Sequence, residues 1–230
     1  MDFEKLFKFG IEYFSDYFRV FVLTLRKPKL YFLPKNKKTS TNSNEKVVNP
    51  SLFGFVLISA LIGTAVGSLA RGIEYSFDFP SIIVLLICWL AYCFIFHIIC
   101  KLLGGKGTFV ETLSVGLQVL SVIYVISNFA EYLWRVLLAY PSLGNWVINL
   151  NEIYFGNQQF ISNPTIVYFV IQFVLLTIYL PLAGINLHDF NKNKKFWVVM
   201  LFILVIVVNV TLFVYIFRTL VYISERLSFY

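Results

Sequence analysis

Five long stretches that carry almost no charge dominate this sequence. They cover residues 52–70, 81–103, 112–134, 164–187 and 196–217. Each is close to the roughly 20 apolar residues that a helix needs to cross the hydrocarbon core of a bilayer. The composition agrees, because 59% of the residues are apolar and 13% are charged, whereas a soluble domain has about 25% charged residues. The chain is therefore predicted to be an all-α polytopic membrane bundle with five transmembrane helices.

The basic residues predict which way these spans point, because cytosolic segments retain Lys and Arg. With five spans, one side of the membrane holds fifteen of the nineteen Lys and Arg residues, and ten of these precede the first span. The other side holds Arg71, Arg135, Arg218 and Arg226. We expect a multi-pass integral membrane protein with a cytosolic N-terminus and an external C-terminus, in the plasma membrane if the host is a bacterium.

The segment before the first span reads as an amphipathic helix within residues 1–34, followed by a flexible basic linker at 35–50 and the membrane domain at 51–230. Large apolar residues recur at steps of three and four, as expected for one face of a helix. They are Phe3, Phe7, Ile11, Phe14, Phe18, Phe21 and Leu25. Two placements remain open, namely a helix that lies in the membrane interface and a helix packed on the cytosolic side of the protein itself.

A glycine-rich turn joins the second and third spans and reads GGKGTFVE from Gly104 to Glu111. Gly104 or Gly105 suits the left-handed cap that ends a helix, and Thr108 with Glu111 matches a capping box that begins the next one. A nucleotide-binding loop requires Ser or Thr after Gly-Lys, between a strand and a helix. Here Lys106 is followed by Gly107 between two helices, so the turn is interpreted as a connection.

The candidate contact sites all lie on the predicted cytosolic side. Basic residues near a membrane attract anionic lipid headgroups, and the exposed lysine of the turn suits a protein partner. The candidates are Lys27, Lys29, Lys35, Lys37, Lys38, Gly104, Gly105, Lys106 and Gly107. A membrane protein partner and a second copy of the chain are both compatible with this pattern, whereas a nucleic acid is not expected.

No catalytic, cofactor or metal site is expected. Cys93, His97 and Cys100 share one helical face, and soft ligands at that spacing suit a transition metal. One helix supplies at most three of four ligands, however, and His188 is the only other imidazole. Buried packing is therefore the favoured interpretation. The sequence also lacks a His-Glu-x-x-His run and a Gly-x-Ser-x-Gly elbow, which argues against an enzyme.

Polar and small residues within the spans are interpreted mainly as structural. Glu131 and Arg135 lie four residues apart in the favourable order for an ion pair, close to the outer end of the third span. Ser59, Gly63 and Gly67 form a stripe along which another helix can approach closely.

Three short motifs, taken in order, make the chain resemble the Yip domain family, five-span membrane proteins named for eukaryotic members that interact with Ypt/Rab GTPases. They are Pro28 to Phe32, the turn from Leu103 to Phe109, and Ile178 to Ile185 before the last span. The outer connection, 140–163, is longer than the family usually has. The aromatic residues of this connection are equally compatible with two placements. The connection could pack on the bilayer surface, or it could cover the bundle.

The chain resembles a prokaryotic member of this family. The resemblance implies a non-enzymatic membrane adaptor or scaffold. Such a protein would engage partner proteins and anionic lipid through its basic cytosolic side. The alternative is a permease or an accessory subunit of a transport complex, with Pro181, Gly184 and Asn209 along a path through the bundle.

Overall fold

The computed structural model describes residues 3–26, 51–72, 79–155, 164–190 and 194–201, with positions 203, 204 and 207. All regular structure within these ranges is α-helical. The helices are α1 Phe3–Arg26, α2 Leu52–Arg71, α3 Phe79–Leu102, α4 Phe109–Leu138, α5 Pro141–Phe155 and α6 Pro164–His188. The chain is helical again at 194–201.

Four of these helices are long and apolar enough to cross a membrane, and they coincide with the first four predicted spans. The spanning segments are Leu52–Ala70, Ile82–Leu102, Phe109–Leu138 and Pro164–His188. This confirms a multi-pass helical membrane protein. The fifth predicted span, 196–217, lies largely outside the described residues and remains a prediction.

Helix α4 occupies the centre of the bundle, where it packs against α2, α3 and α6. The core along it is mainly β-branched and leucine side chains, including Val115, Val119, Val122 and Ile123, all buried. Since α4 contacts each of the other three described spanning helices, it is the element through which they are positioned.

The stripe of small residues on α2 is used for close packing, as the sequence predicts. A Cβ atom on Gly63 would overlap the ring of Tyr124 on α4. Ser59 is buried and forms a hydrogen bond of 3.0 Å with the Tyr17 hydroxyl on α1. Gly67 is also buried. Small side chains thus let two different helices approach α2.

Helix α1 packs on the bundle through a stripe next to the one predicted. Tyr17, Val20 and Thr24 are buried, and the Tyr17 ring lies 4.9 Å from that of Phe55 on α2. Phe14 and Phe18, which belong to the predicted apolar face, are exposed. Packing on the protein is thereby observed, while contact with the membrane interface remains a prediction.

The outer connection contains a further helix, α5, that returns onto the end of α4. The backbone N–H groups of Leu143 and Gly144 both donate to the carbonyl of Tyr140, at 3.1 and 2.8 Å. Gly144 is buried, and a Cβ atom there would lie 2.7 Å from the carbonyl oxygen of Leu138. The described part of this connection therefore packs against the bundle.

We predict that Gly63→Ala destabilises the protein by about 1–3 kcal/mol, because the new methyl group overpacks against a ring that belongs to the neighbouring helix. Thermal unfolding in a mild detergent measures this change. Leu69→Val, at an exposed position of the same helix, serves as the control. Adding Tyr124→Leu to Gly63→Ala should recover part of the loss, and a Gly63→Ala variant as stable as the parent would contradict this packing.

Candidate functional site

The glycine turn, residues 103–108, closes α3 and opens α4 with two different caps. Gly104 has a left-handed φ of 82°, and its N–H donates to the carbonyl of Lys101 at 2.8 Å. Thr108 and Glu111 form the reciprocal capping box, in which the Thr108 N–H donates to the Glu111 carboxylate at 3.0 Å. Both predicted caps are confirmed.

The other two glycines of the turn let its backbone lie directly on a histidine. His188, the last residue of α6, is completely buried. A Cβ atom on Gly105 would lie 2.7 Å from His188 Nδ1, and one on Gly107 would lie 2.9 Å from the same atom. Since real Cβ atoms do not approach that closely, any larger residue would push the turn away from α6.

Direct backbone contact reinforces this approach. The N–H of Lys106 donates to the carbonyl of His188 at 3.0 Å, and the N–H of Gly105 donates to the carbonyl of Cys100 at 2.8 Å. The turn is thus bonded on one side to the end of α6 and on the other to the end of α3. We call this end of the bundle, where α3 and α6 finish and α2 and α4 begin, the lysine end.

A single hydroxyl joins three helices beneath the turn. Thr112 Oγ1 of α4 lies 3.0 Å from His188 Nε2 and 3.0 Å from His97 Nδ1 of α3. It also donates to the carbonyl of Thr108 at 2.8 Å. Because a hydroxyl has one proton and two lone pairs, both imidazoles donate to it. This arrangement assigns the proton to Nε2 of His188 and to Nδ1 of His97.

Aromatic rings enclose both imidazoles. The ring of Phe190 stacks on His188 with centroids 5.8 Å apart, and Phe109 meets His97 edge-on at 5.3 Å. The His188 end of the network is therefore buried, an environment in which hydrogen bonds are strong and an unpaired partner is costly, whereas His97 is only half-buried.

The three residues weighed as metal ligands contact different neighbours. Cys93 faces Gly116, where a Cβ atom would lie 2.6 Å from its sulfur, while His97 is bonded to Thr112. Within the described residues no group of three or more His, Cys, Asp or Glu side chains has a geometry suited to a metal ion. Here the side chains serve packing and helix-to-helix hydrogen bonding.

Lysines cluster at the lysine end. They lie at the end of α3, in the glycine turn and at the start of the helix at 194–201. Lys101, Lys106, Lys194 and Lys195 are all exposed, and we call this group the basic platform. The Lys194 ammonium donates to the carbonyl of Leu103 at 3.2 Å and so helps to cap α3. Of the candidate contact residues, Gly105 and Gly107 are buried within the turn, whereas the side chain of Lys106 is exposed. Lys27, Lys29, Lys35, Lys37 and Lys38 lie outside the described residues.

Glu131 and Arg135 meet at the opposite end of α4, far from the basic platform. Arg135 Nη2 lies 3.2 Å from Glu131 Oε1, and the Glu131 side chain is completely buried whereas that of Arg135 is partly exposed. Nearby, the Asn128 amide donates to the carbonyl of Tyr124 at 2.8 Å. The pair stays within one helix, which suits a structural contact rather than a binding site.

Sequence reasoning did not identify Thr112 and His188 as parts of this site. A signal was available, since an N-in arrangement with four alternating spans brings the end of the fourth span beside the turn. His188 follows a run of apolar residues, so it ends the fourth span on the side of the turn. Gly105 and Gly107 leave space beneath the turn, and together these two features could have predicted a ring there.

We predict that Thr112→Val lowers the free energy of unfolding by about 1–3 kcal/mol, because two buried imidazole N–H groups lose their shared acceptor. Thr112→Ser keeps the hydroxyl and should remain within a few tenths of a kcal/mol of the parent protein. Thermal unfolding of both variants in the same detergent compares them. Equal stability of the valine and serine variants would show that the network adds nothing to the fold.

One protein-family model matches most of this chain. The model of the Yip1 domain matches residues 29–213, which include the four described spans and the glycine turn. No curated protein and no solved structure matches the chain. The match covers well over half of the 230 residues, and the chain therefore belongs to the Yip1 domain family.

Proposed function

We propose that this protein is a non-enzymatic membrane adaptor of the Yip type. Its lysine end faces the cytosol and engages partner proteins and anionic lipid. The observation that carries this proposal is the glycine turn, which is bonded to α3 and α6 and leaves the Lys106 side chain exposed. A contact surface that is already ordered loses little conformational freedom on binding, which favours affinity.

The charge distribution supports the cytosolic placement of the lysine end. The basic platform and the lysine-rich segment 27–50 lie on the same side of the predicted spans. By the positive-inside rule, segments rich in Lys and Arg stay in the cytosol. In this orientation the N-terminus is cytosolic, and with the fifth predicted span the C-terminus is external. The α5 helix then lies on the outer side, with exposed residues such as Asn145.

Lipid and partner would use neighbouring parts of the same side. Each Lys or Arg close to an anionic surface contributes about 1 kcal/mol of attraction, so Lys35, Lys37 and Lys38 together favour anionic headgroups. The rigid turn offers a different kind of surface, a single projecting ammonium above buried glycines. We therefore assign lipid attraction chiefly to the basic segment and partner recognition to the turn.

The orientation is tested by labelling single cysteines with a membrane-impermeant maleimide in intact cells, in a background where Cys88, Cys93 and Cys100 are replaced by alanine. We expect Asn145→Cys to react from outside, because α5 is external. Lys106→Cys should react only after permeabilisation. The reverse pattern would refute the proposed orientation, and equal reactivity at both positions in intact cells would refute any single orientation.

Partner recognition is tested with Lys106→Glu in the full-length protein. Reversing an exposed charge at the contact should lower recovery of a cross-linked partner by about tenfold, as expected for like charges brought together at an interface. The matched control is Asn145→Glu, which places the same charge at the other end of the bundle. Equal recovery with both variants would show that the turn does not contact the partner. Unchanged thermal stability of Lys106→Glu excludes a folding defect.

A further inference from the structure

Contacts along α1 report how deeply this helix enters the bundle. The Tyr13 hydroxyl lies 3.4 Å from Ser51 Oγ, at the start of α2. The Tyr17 hydroxyl reaches Ser59, eight residues or about 12 Å further along α2. A later residue of α1 thus meets a later residue of α2, so the two helices run in the same direction from the lysine end.

The C-terminal end of α1 lies about halfway along the spanning helices. The carbonyl of Leu25 accepts a hydrogen bond of 3.1 Å from Tyr179 of α6. Thr24 and Leu25 share a small apolar cleft with Val122 of α4 and Leu175 of α6. Val122 and Leu175 each lie thirteen residues, or about 20 Å, from the lysine end of their own helix. Both estimates place the end of α1 near the middle of the bundle.

One stripe of α1 faces away from the protein and is apolar. Its members, at steps of three and four, are Ile11, Phe14, Phe18 and Val22, with 56, 49, 54 and 42% of their surfaces exposed. At the depth of the end of α1, α6 also exposes apolar side chains, Val174 and Ile178. Because α6 spans the membrane, these side chains face acyl chains, and the α1 stripe continues the same surface.

We propose that α1 is inserted into the cytosolic leaflet only, and that its stripe of Ile11, Phe14, Phe18 and Val22 contacts the acyl chains of that leaflet. The helix enters beside α2 and ends near the bilayer centre. The assignment to the cytosolic leaflet rests on the proposed orientation, whereas insertion into one leaflet rests on the contacts alone.

Charge distinguishes lipid from a second copy as the occupant. Arg19 and Arg26 lie on the exposed edge beside the stripe. Two copies joined symmetrically through this face would bring four arginines together, which is unfavourable. In lipid, side chains of α1 lean toward its N-terminus, which is the headgroup side, and long arginine stems can extend that way.

The arginines also predict what α1 does to the bilayer. An arginine near the hydrocarbon centre is energetically unfavourable, and local thinning with entry of headgroups and water reduces this cost. Arg26, at the deep end of α1, would therefore draw the headgroups of one leaflet inward. A helix that occupies area in one leaflet and thins it there deforms the bilayer asymmetrically.

The test measures the depth of a fluorophore on α1 in the full-length protein. Single cysteines replace Ile11, Phe14, Phe18 and Val22 in turn, in the background that lacks Cys88, Cys93 and Cys100. The labelled protein is placed in phosphatidylcholine vesicles that carry bromine either near the headgroups or near the chain ends. Ile178→Cys on α6 is the control for a lipid-facing position, and Asn145→Cys is the control for water.

We expect depth to increase stepwise from Ile11 to Val22, which are eleven residues or about 16 Å apart along the helix axis. Equal depth at all four positions would show a helix lying flat in the interface and would overturn the proposal. Absence of quenching at all four positions would also overturn it. In that case the lipid-to-protein ratio is raised. Quenching that then appears would show that a second copy covers the stripe, and continued absence of quenching would show that the stripe faces water.

This outcome is independent of the adaptor function. The vesicles contain no anionic lipid and no partner, so a missing depth gradient leaves the Lys106→Glu result unaffected. Conversely, the depth gradient along α1 could be present while Lys106→Glu recovers as much partner as the parent. That result would support the inserted helix and refute the partner contact at the turn. Thermal unfolding of each labelled variant in detergent, unchanged from the parent, confirms that it is folded.

Discussion

The hydroxyl of Thr112 is the point at which three helices of this bundle are joined. Apolar helices in lipid have no hydrophobic force that selects one packing over another, because acyl chains are as apolar as leucine. Directional contacts must then supply the selection. One buried oxygen bonded to two imidazoles and a carbonyl meets that need, and the glycine turn can lie over His188 only because this ring is held in place.

Much of the architecture was predictable because lipid imposes simple requirements on a sequence. Hydrocarbon thickness dictates span length, so the bounds of α2 and α6 follow from where apolar residues begin and end. Local chemistry predicted the caps at Gly104 and Thr108, since each depends on residues only three or four positions apart. That another helix could approach α2 closely at Gly63 was likewise predictable, although neither α4 nor its Tyr124 could be identified as the partner.

The remaining features depend on contacts between residues distant in sequence. His188 and Gly105 are brought together only by the arrangement of α3 and α6, which no local pattern specifies. The buried stripe of α1 differs from the predicted one because Tyr17, which is only moderately apolar, finds a polar and an aromatic partner on α2, whereas the Thr24 hydroxyl donates to the carbonyl of Val20 within α1. Hydrophobic periodicity identifies the most apolar face, whereas packing selects the face that complements a neighbour.

The spanning helices differ considerably in length, from 20 residues in α2 to 30 in α4. At 1.5 Å per residue, α2 measures about 30 Å, close to the thickness of an average hydrocarbon core, whereas α4 measures about 45 Å. The longer helix must project beyond the bilayer, and its projecting end supports α5. The short helix has no such surplus, so a thicker membrane would have to thin around α2. Hydrophobic mismatch of this kind costs free energy, so α2 matches a bilayer of about average hydrocarbon thickness better than a thicker one.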